Sequence, residues 1–178
     1  ARTVIRDDGD RRLDATNVLS PALAVITNID VEHMDIYDDV DDIKAAFLEF
    51  ANKVPFYGSV ILCLDDHHLR SIIPGIKRQT LTYGFTPQAR LQPARIETTG
   101  MHSEFDVMFD DERLGRVSIQ APGEHNIRNA LAAIGVGLEL NMSFEHIAAG
   151  LQKYEGVFRR FQVKYEQDGI MVIDDYAH

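Results

Sequence analysis

The chain is poor in the features that mark several broad classes of protein. Its single cysteine, Cys63, excludes a disulfide framework and is best interpreted as a buried thiol in a reduced, cytoplasmic protein. No apolar run approaches the roughly 20 residues of a membrane-spanning helix, so no membrane insertion is expected. Basic residues are also scarce, with 18 Lys and Arg against 28 Asp and Glu. The net charge of -10 argues against the basic stripe of a nucleic-acid-binding protein, so no nucleic-acid partner is expected.

Strand-like and helix-like patterns alternate through the first half of the chain. Continuous apolar runs at 22–26 and 60–64 are typical of strands buried on both faces, and 80–85 predicts a third strand. Helical spacing of apolar residues at 40–54 and 68–73 predicts helices between them. This order predicts right-handed βαβ crossovers, and hence an α/β fold with a mostly parallel sheet flanked by helices. In such sheets ligands bind at the carboxyl ends of the strands.

The second half of the chain mixes the two patterns. From about 94 to 120, short and partly alternating apolar runs separated by turn signals predict a small antiparallel β insertion. An amphipathic helix follows from about 124, and Ser143 is the expected N-cap of the next helix. The segment 161–165 is expected to pair with 170–173 in a hairpin.

Asn126 and Asn129 lie one turn apart at the start of the helix that follows Pro122-Gly123. Each amide carries both a donor and an acceptor, which together can read the edge of a planar heterocycle. The residues also allow a structural interpretation, in which Asn126 is the N-cap and Asn129 a solvated first-turn residue. Without further observations this structural interpretation is favoured, because Asn is a leading N-cap.

Three further polar groups could carry chemistry, and the first two have a structural alternative. Glu32, His33 and Asp35 follow the first strand and could hold a divalent cation, or His33 is a hydrogen-bonded loop histidine. The pair Arg159-Arg160 could bind a phosphate or carboxylate, or form a structural ion pair. The pair Asp174-Asp175 follows the last strand and could receive ribose hydroxyls or orient a cation.

A fourth polar cluster, Asp65-Asp66-His67-His68, contains residue types that bind metals. It begins a predicted helix, where acidic side chains are stabilised by the positive end of the helix dipole. That structural explanation is sufficient, so the cluster is assigned no functional role.

Several segments match, in the same order, motifs of a known enzyme family. They are Thr27-Asn28-Ile29, Glu32-His33-Met34-Asp35, Val54-Pro55-Phe56-Tyr57-Gly58, Leu64-Asp65-Asp66, Thr82-Tyr83-Gly84-Phe85, Gly123 to Ala130, Gly156 to Phe161 and Asp174 to His178. Together they resemble the Mur ligases, the ATP-dependent enzymes that form amide bonds in peptidoglycan precursor synthesis. The resemblance runs from about Leu19 to the last residue. Pro55 to Gly58 and Asp174 to His178 most resemble the family member that adds L-alanine.

The resemblance implies roles for five residues. By position, His33 matches the family's histidine ligand to a Mg²⁺ near the γ-phosphate of ATP, and Arg160 matches an arginine at the ATP phosphates. Asn126 and Asn129 match two asparagines on the adenine side of the ATP site. Asp175 matches an aspartate that contacts the ribose. His33 and Arg160 are therefore the expected catalytic residues, and ATP and Mg²⁺ are the expected cofactors.

The reaction implied by the resemblance joins L-alanine to UDP-N-acetylmuramate, the two expected substrates. The muramate carboxylate attacks the γ-phosphate of ATP to give an acyl-phosphate and ADP, and the amine of L-alanine then displaces phosphate. Positioning and charge neutralisation carry most of the catalysis in such phosphoryl transfers.

Parts of the family pattern are missing from the chain. A Gly-rich loop ending in Gly-Lys-Thr or Gly-Lys-Ser is absent from all 178 residues, and the phosphate-binding lysine is absent with it. We therefore expect an excerpt, in which 1–160 is an incomplete central ATP-binding domain with its antiparallel insertion at about 90–120. Residues 161–178 are expected to begin the C-terminal domain. The excerpt alone is predicted to be inactive, and its exposed sheet edge to make it marginally stable or prone to association.

Three other functions are consistent with parts of the pattern. The first is a related recycling ligase that joins a peptide to UDP-N-acetylmuramate, although the motif Pro55 to Gly58 argues against it. A non-catalytic nucleotide-binding scaffold would explain the missing phosphate loop. A metal hydrolase built on His33, Asp35 and His67-His68 is the weakest alternative, because the acidic residues at that helix start already have a structural explanation.

Overall fold

A single six-stranded sheet forms the centre of the fold in the computed structural model, which describes residues 21–30, 39–154, 162–167 and 170–174. Its strands, adjacent in chain order, are Leu23–Ile26 (β1), Ser59–Cys63 (β2), Gln79–Tyr83 (β3), Leu91–Thr99 (β4), His102–Phe109 (β5) and Glu112–Ile119 (β6). The helices of the described residues are Val40–Lys53 (α1), His67–Ile72 (α2), Glu124–Glu139 (α3) and Phe144–Gln152 (α4), and a 3₁₀ turn covers Ile73–Gly75.

The strands β1, β2 and β3 are parallel neighbours, as the sequence predicted. Every residue of β2 is buried, which explains its uninterrupted apolar run. Between β1 and β2 the chain forms α1, whose N-cap is Asp39. The Asp39 carboxylate accepts hydrogen bonds from the backbone N–H groups of Asp41 and Asp42 at 2.8 and 3.0 Å. The predicted α/β fold with a mostly parallel sheet is therefore confirmed.

The predicted antiparallel insertion is formed by β4, β5 and β6. It belongs to the same sheet as the parallel strands, because β4 pairs in parallel with β3 through Tyr83 and Leu91. The Gly84 N–H also donates to the carbonyl oxygen of Leu91 at 3.1 Å. The insertion thus extends the parallel sheet on the side of β3.

The long helix α3 crosses the parallel strands in the direction opposite to theirs. At its start Arg128 contacts Asp65, just beyond the carboxyl end of β2. At its end Glu139 accepts a hydrogen bond from the hydroxyl of Ser59, at the amino end of β2. Gly135 lies so close to the sheet that a Cβ there would be 3.2 Å from Ile61 Cγ2. The positive end of the α3 dipole therefore lies at the carboxyl edge of the strands.

The helix α4 begins where the sequence predicted, with Ser143 as its N-cap. It packs against β6, and the ring of Phe144 fills the space above Gly115. The segments Gln162–Gln167 (β7) and Ile170–Asp174 (β8) form a separate antiparallel pair, which confirms the predicted hairpin. The proposed domain boundary near residue 161 stays a prediction. No helix of the described residues is long and apolar enough to cross a membrane.

Candidate functional site

The carboxyl ends of β1, β2 and β3 lie side by side, and polar residues follow β1 directly and β2 after one intervening leucine. The strand register aligns Ile26 with Leu62 and Cys63 with Tyr83, so the three strands end at one edge. Thr27-Asn28 follows β1, and the Thr27 hydroxyl donates to Asn28 Oδ1 at 2.9 Å. This is the edge at which open α/β sheets bind their ligands.

A single carboxylate, that of Asp65, links three segments at this edge. The N–H of Phe85 donates to Oδ1 and Oδ2 at 2.9 and 3.0 Å, and the N–H of Thr86 donates to Oδ1 at 3.0 Å. Arg128 Nε donates to Oδ2 at 2.8 Å. The Asp65 side chain is only 18% exposed, so these contacts replace most of its hydration. Asp65 therefore ties the end of β2 to the turn after β3 and to α3.

The close approach of Asp65 to the turn after β3 requires a glycine at position 84. A Cβ on Gly84 would lie 2.6 Å from Asp65 Oδ1, well inside van der Waals contact. The backbone φ of Gly84 is +154°, a value that residues with a side chain rarely adopt. The glycine directly after β3 and the aspartate two residues after the end of β2 are thus complementary.

Arg128 makes two further contacts besides the bond to Asp65. Its guanidinium lies 4.9 Å from the centroid of the Phe85 ring, a cation–π distance. Its Nη2 donates to Glu124 Oε2 at 3.2 Å, one helical turn earlier. The arginine is therefore held from three sides, with one third of its side chain exposed.

The electrostatics of this cluster favour the ionised pair. Burial opposes ionisation of Asp65, but hydrogen bonds from the Phe85 amide and from Arg128 outweigh it and lower the pKa of the carboxyl. Burial likewise opposes the charge of Arg128, and the bond to Asp65 raises its pKa in spite of that. Burial raises the pKa of the neighbouring Cys63 thiol. Cys63 is a free buried cysteine, as the sequence predicted, and is not an activated nucleophile.

The start of α3 differs from the structural interpretation of the sequence. The N-cap is Gly123, not Asn126, and no side chain caps the helix. Gly123 has φ +94°, and its carbonyl oxygen accepts from the N–H groups of Asn126 and Ile127. Asn126 is the third residue of the helix, and its Nδ2 donates to the carbonyl oxygen of Pro122 at 2.6 Å. Asn was the better cap by propensity, but only glycine suits the left-handed backbone that enters the helix here.

The two asparagines retain hydrogen-bonding capacity. Asn126 is partly buried and uses its amide nitrogen, so its Oδ1 is the available acceptor. Asn129 is exposed, and it lies in the second turn of α3 and not in the first. Among the described residues, no side chain or backbone group hydrogen-bonds to Asn126 Oδ1 or to the Asn129 amide. An acceptor and a complete amide, one turn apart, can hydrogen-bond a heterocycle that has both donors and acceptors on its edge.

Three predicted site residues, His33, Arg160 and Asp175, lie outside the residues that the structure describes. Their assigned roles stay predictions, as does any contact between them and the asparagine pair. The same holds for the phosphate side and the ribose side of the predicted ATP site.

The cluster that begins at Asp65 is structural in its helical part. Asp66 caps α2 by accepting from the N–H of Leu69 at 2.7 Å, and the rings of His67 and His68 lie 3.7 Å apart. No group of three or more His, Cys, Asp or Glu side chains within the described ranges could hold a metal ion. Asp65 itself has a function that the sequence interpretation missed. The sequence feature that could have revealed this function is that Asp65 follows β2 and Gly84 follows the neighbouring strand β3, so that both lie at the same edge of the sheet.

Comparison with known proteins gives a consistent result. The family model of the Mur ligase middle domain matches residues 6–137. A UDP-N-acetylmuramate–L-alanine ligase of Desulfatibacillum aliphaticivorans is 50% identical over 160 residues, which are 90% of this chain and 35% of that protein. The chain thus spans about a third of the length of the curated relatives that it matches.

Solved structures share the fold. A UDP-N-acetylmuramate-alanine ligase of Thermotoga maritima superposes with a TM-score of 0.78 and 23% identity, over 92% of this chain and 36% of that one. A MurF ligase of Thermotoga maritima, solved in complex with ADP, superposes with a TM-score of 0.73 and 19% identity, over 90% of this chain and 36% of that one.

Proposed function

This chain belongs to the Mur ligase family, and we propose that it supplies the adenine-binding side of an ATP-dependent ligase. In the whole protein, that ligase joins L-alanine to UDP-N-acetylmuramate and forms ADP and phosphate. The choice of L-alanine is supported by the 50% identity to a ligase of that name. The motif Pro55 to Gly58 argues against the recycling ligase that adds a peptide.

The observation that carries the proposal is the presentation of Asn126 and Asn129 at the carboxyl edge of the sheet. The Oδ1 atom of Asn126 can accept from an exocyclic amine, and the Asn129 amide can donate to and accept from ring positions. Adenine offers an amine donor and ring nitrogen acceptors on the same edge, so the donors and acceptors of the two asparagines fit this base. The fold of an ADP-bound MurF ligase, shared over 90% of this chain, supports the same assignment.

The described residues bind and orient and take no part in bond making. Asn126 and Asn129 hold the base, and the positive end of α3 faces the same edge. When bound, Mg²⁺ neutralises charge on the transferred phosphoryl group. The proposed ligand to it is His33, and the proposed phosphate contact is Arg160. Positioning of the nucleotide is the contribution of this segment to catalysis.

The proposal is tested with the full-length gene product that contains this chain. We expect ATP-dependent formation of UDP-N-acetylmuramoyl-L-alanine, followed by phosphate release and product mass, and little product with a tripeptide in place of L-alanine. Asn129→Ala should raise KM for ATP about tenfold with little change in kcat, since loss of one or two amide hydrogen bonds is worth about 1.4 kcal/mol.

The matched control is Gln152→Ala, which removes an exposed amide at the end of α4, beside β6 at the far side of the sheet. Its KM for ATP should equal that of the parent enzyme. A full-length protein that binds ATP but forms no amide product would support the scaffold alternative. Alanine-dependent phosphate release by the 178-residue chain alone would contradict the expectation that the excerpt is inactive.

A further inference from the structure

The first two turns of α3 carry the asparagine pair, and among the described residues a single side-chain hydrogen bond joins these turns to the strand ends. Within the described residues that contact is the bond from Arg128 Nε to Asp65 Oδ2. The other side-chain bonds of these turns are local, from Asn126 to Pro122 and from Arg128 to Glu124. Arg128 therefore connects the asparagine-bearing turns to the edge of the sheet.

Apolar packing alone leaves the placement of these turns less defined. Ile127 and Leu131 are buried under the helix and hold it on the sheet. Such packing is non-directional, whereas a hydrogen-bonded ion pair specifies distance and orientation. Arg128 lies between Asn126 and Asn129 in sequence, so its bond to Asp65 constrains the stretch of helix that carries both asparagines.

The receiving end of this contact is itself rigid. The Asp65 carboxylate is held by the backbone N–H groups of Phe85 and Thr86, and it lies against Gly84. The Phe85 ring also lies under the Arg128 guanidinium. Two strand ends thus fix the carboxylate, and the carboxylate fixes the arginine.

We propose that Asp65 and Arg128 are positioning residues for nucleotide recognition, which set the place of Asn126 and Asn129 relative to the strand ends. The inference rests on the proposed function, because it assigns base recognition to the asparagines. Neither Asp65 nor Arg128 contacts the nucleotide in this assignment. Their loss displaces the two amides and weakens recognition of the adenine edge, while the chemical step keeps its rate.

The chain offers a matched control for the ion pair. Arg90 donates through Nε to Asp110 Oδ1 at 2.8 Å, and its guanidinium lies 4.8 Å from the centroid of the Phe109 ring. Arg90 is thus also paired with an aspartate and stacked on a phenylalanine, but it joins β4 to the turn between β5 and β6. Arg90→Gln removes a similar set of contacts away from the first two turns of α3, because on that helix Arg90 interacts only with the charge of Glu139, at the opposite end, among the residues that the structure describes.

The experiment measures KM for ATP, kcat and selectivity for ATP over GTP in the full-length gene product. Arg128→Gln should raise KM for ATP about fivefold, lower the ATP preference and leave kcat within about twofold, because only binding geometry is changed. Arg128→Lys, which keeps the charge near Asp65, should recover part of the affinity. Arg90→Gln should lower the melting temperature about as much as Arg128→Gln does. It should leave KM for ATP, kcat and the selectivity for ATP over GTP unchanged.

A double-mutant cycle separates positioning from general destabilisation. If Arg128 acts through Asn129, the variant with both Arg128→Gln and Asn129→Ala should have a KM about tenfold above the parent and not about fiftyfold, because the two changes disrupt one interaction. Multiplicative effects, or equal KM changes in Arg128→Gln and Arg90→Gln, would overturn the inference. An effect of Asn129→Ala without any effect of Arg128→Gln would also overturn it while the proposed function stands. If neither Asn129→Ala nor Arg128→Gln alters KM for ATP, the asparagines do not recognise the base. The proposed function and the inference would then both be contradicted.

Discussion

Replacement of Asp65 by alanine is the perturbation that the structure predicts to be most damaging at the carboxyl edge of the sheet. The change removes the acceptor of hydrogen bonds from Phe85 N–H, Thr86 N–H and Arg128 Nε. It leaves two backbone donors of the turn after β3 without their partner, and it leaves Arg128 without its carboxylate. All three losses occur at a side chain that is 18% exposed.

The magnitude follows from the number and kind of these bonds. A hydrogen bond to a charged group contributes about 1.5–3 kcal/mol, and the contributions of one group do not add fully. Arg128 is one-third exposed, so water compensates part of its loss. We therefore expect the free energy of unfolding to fall by about 3 kcal/mol, which for a domain of this size corresponds to a melting temperature lower by about 6–12 °C.

The neighbouring aspartate provides the control. Asp66 makes one capping bond, to the N–H of Leu69, so Asp66→Ala should cost only about 1 kcal/mol. Both variants are compared by thermal unfolding and by amide hydrogen exchange of the segment 84–88 in the full-length gene product. Exchange of that segment should accelerate in Asp65→Ala only. Equal destabilisation by the two substitutions, or unchanged exchange at 84–88, would refute the reasoning.

Two further predictions concern the same half of the fold. Gly135→Val should destabilise the protein by about 1–3 kcal/mol, because a Cβ at position 135 would lie 3.2 Å from Ile61 and the added methyl groups would overpack the contact. An unchanged midpoint of unfolding in urea would contradict the close packing of α3 on the sheet. Folding lowers the pKa of Asp65. The ionised carboxylate therefore contributes its full stabilisation at pH values above the ordinary pKa of an unfolded aspartate, about 4. This stabilisation is lost as the pH falls through the lower pKa of the folded state. The difference in unfolding free energy between the parent and Asp65→Asn should thus narrow between pH 7 and pH 2, and a difference that is independent of pH would argue against the ionised pair.

The order of helices and strands was predictable because it depends on local patterns. The apolar run of β2, the helical spacing within α1 and the hydroxyl cap at Ser143 each act within a few residues along the chain. The structure confirms these elements, with boundaries shifted by one or two residues. A pattern of this kind needs no knowledge of distant partners.

The start of α3 was harder to predict because two local rules compete there. Asparagine is a strong N-cap by propensity, and this favoured Asn126. The turn at Pro122-Gly123 instead places Gly123 at φ +94° and makes it the cap. Asn126 is thereby moved into the helix, where its Oδ1 is available to a ligand. The functional assignment came from the family resemblance and not from the spacing of the asparagines.

By itself, the sequence determined the α/β class, the antiparallel strands and the choice of Asn126 and Asn129 as candidate base-binding residues. The tertiary structure alone decided that the antiparallel strands continue the parallel sheet through Tyr83 and Leu91, and that Asp65 pairs with Arg128. The physical reason is that both features are contacts between separate elements, which the local pattern of either element does not specify. Periodicity and capping act between near neighbours, whereas Asp65 and Arg128 are 63 residues apart and meet only because α3 runs back across the strands.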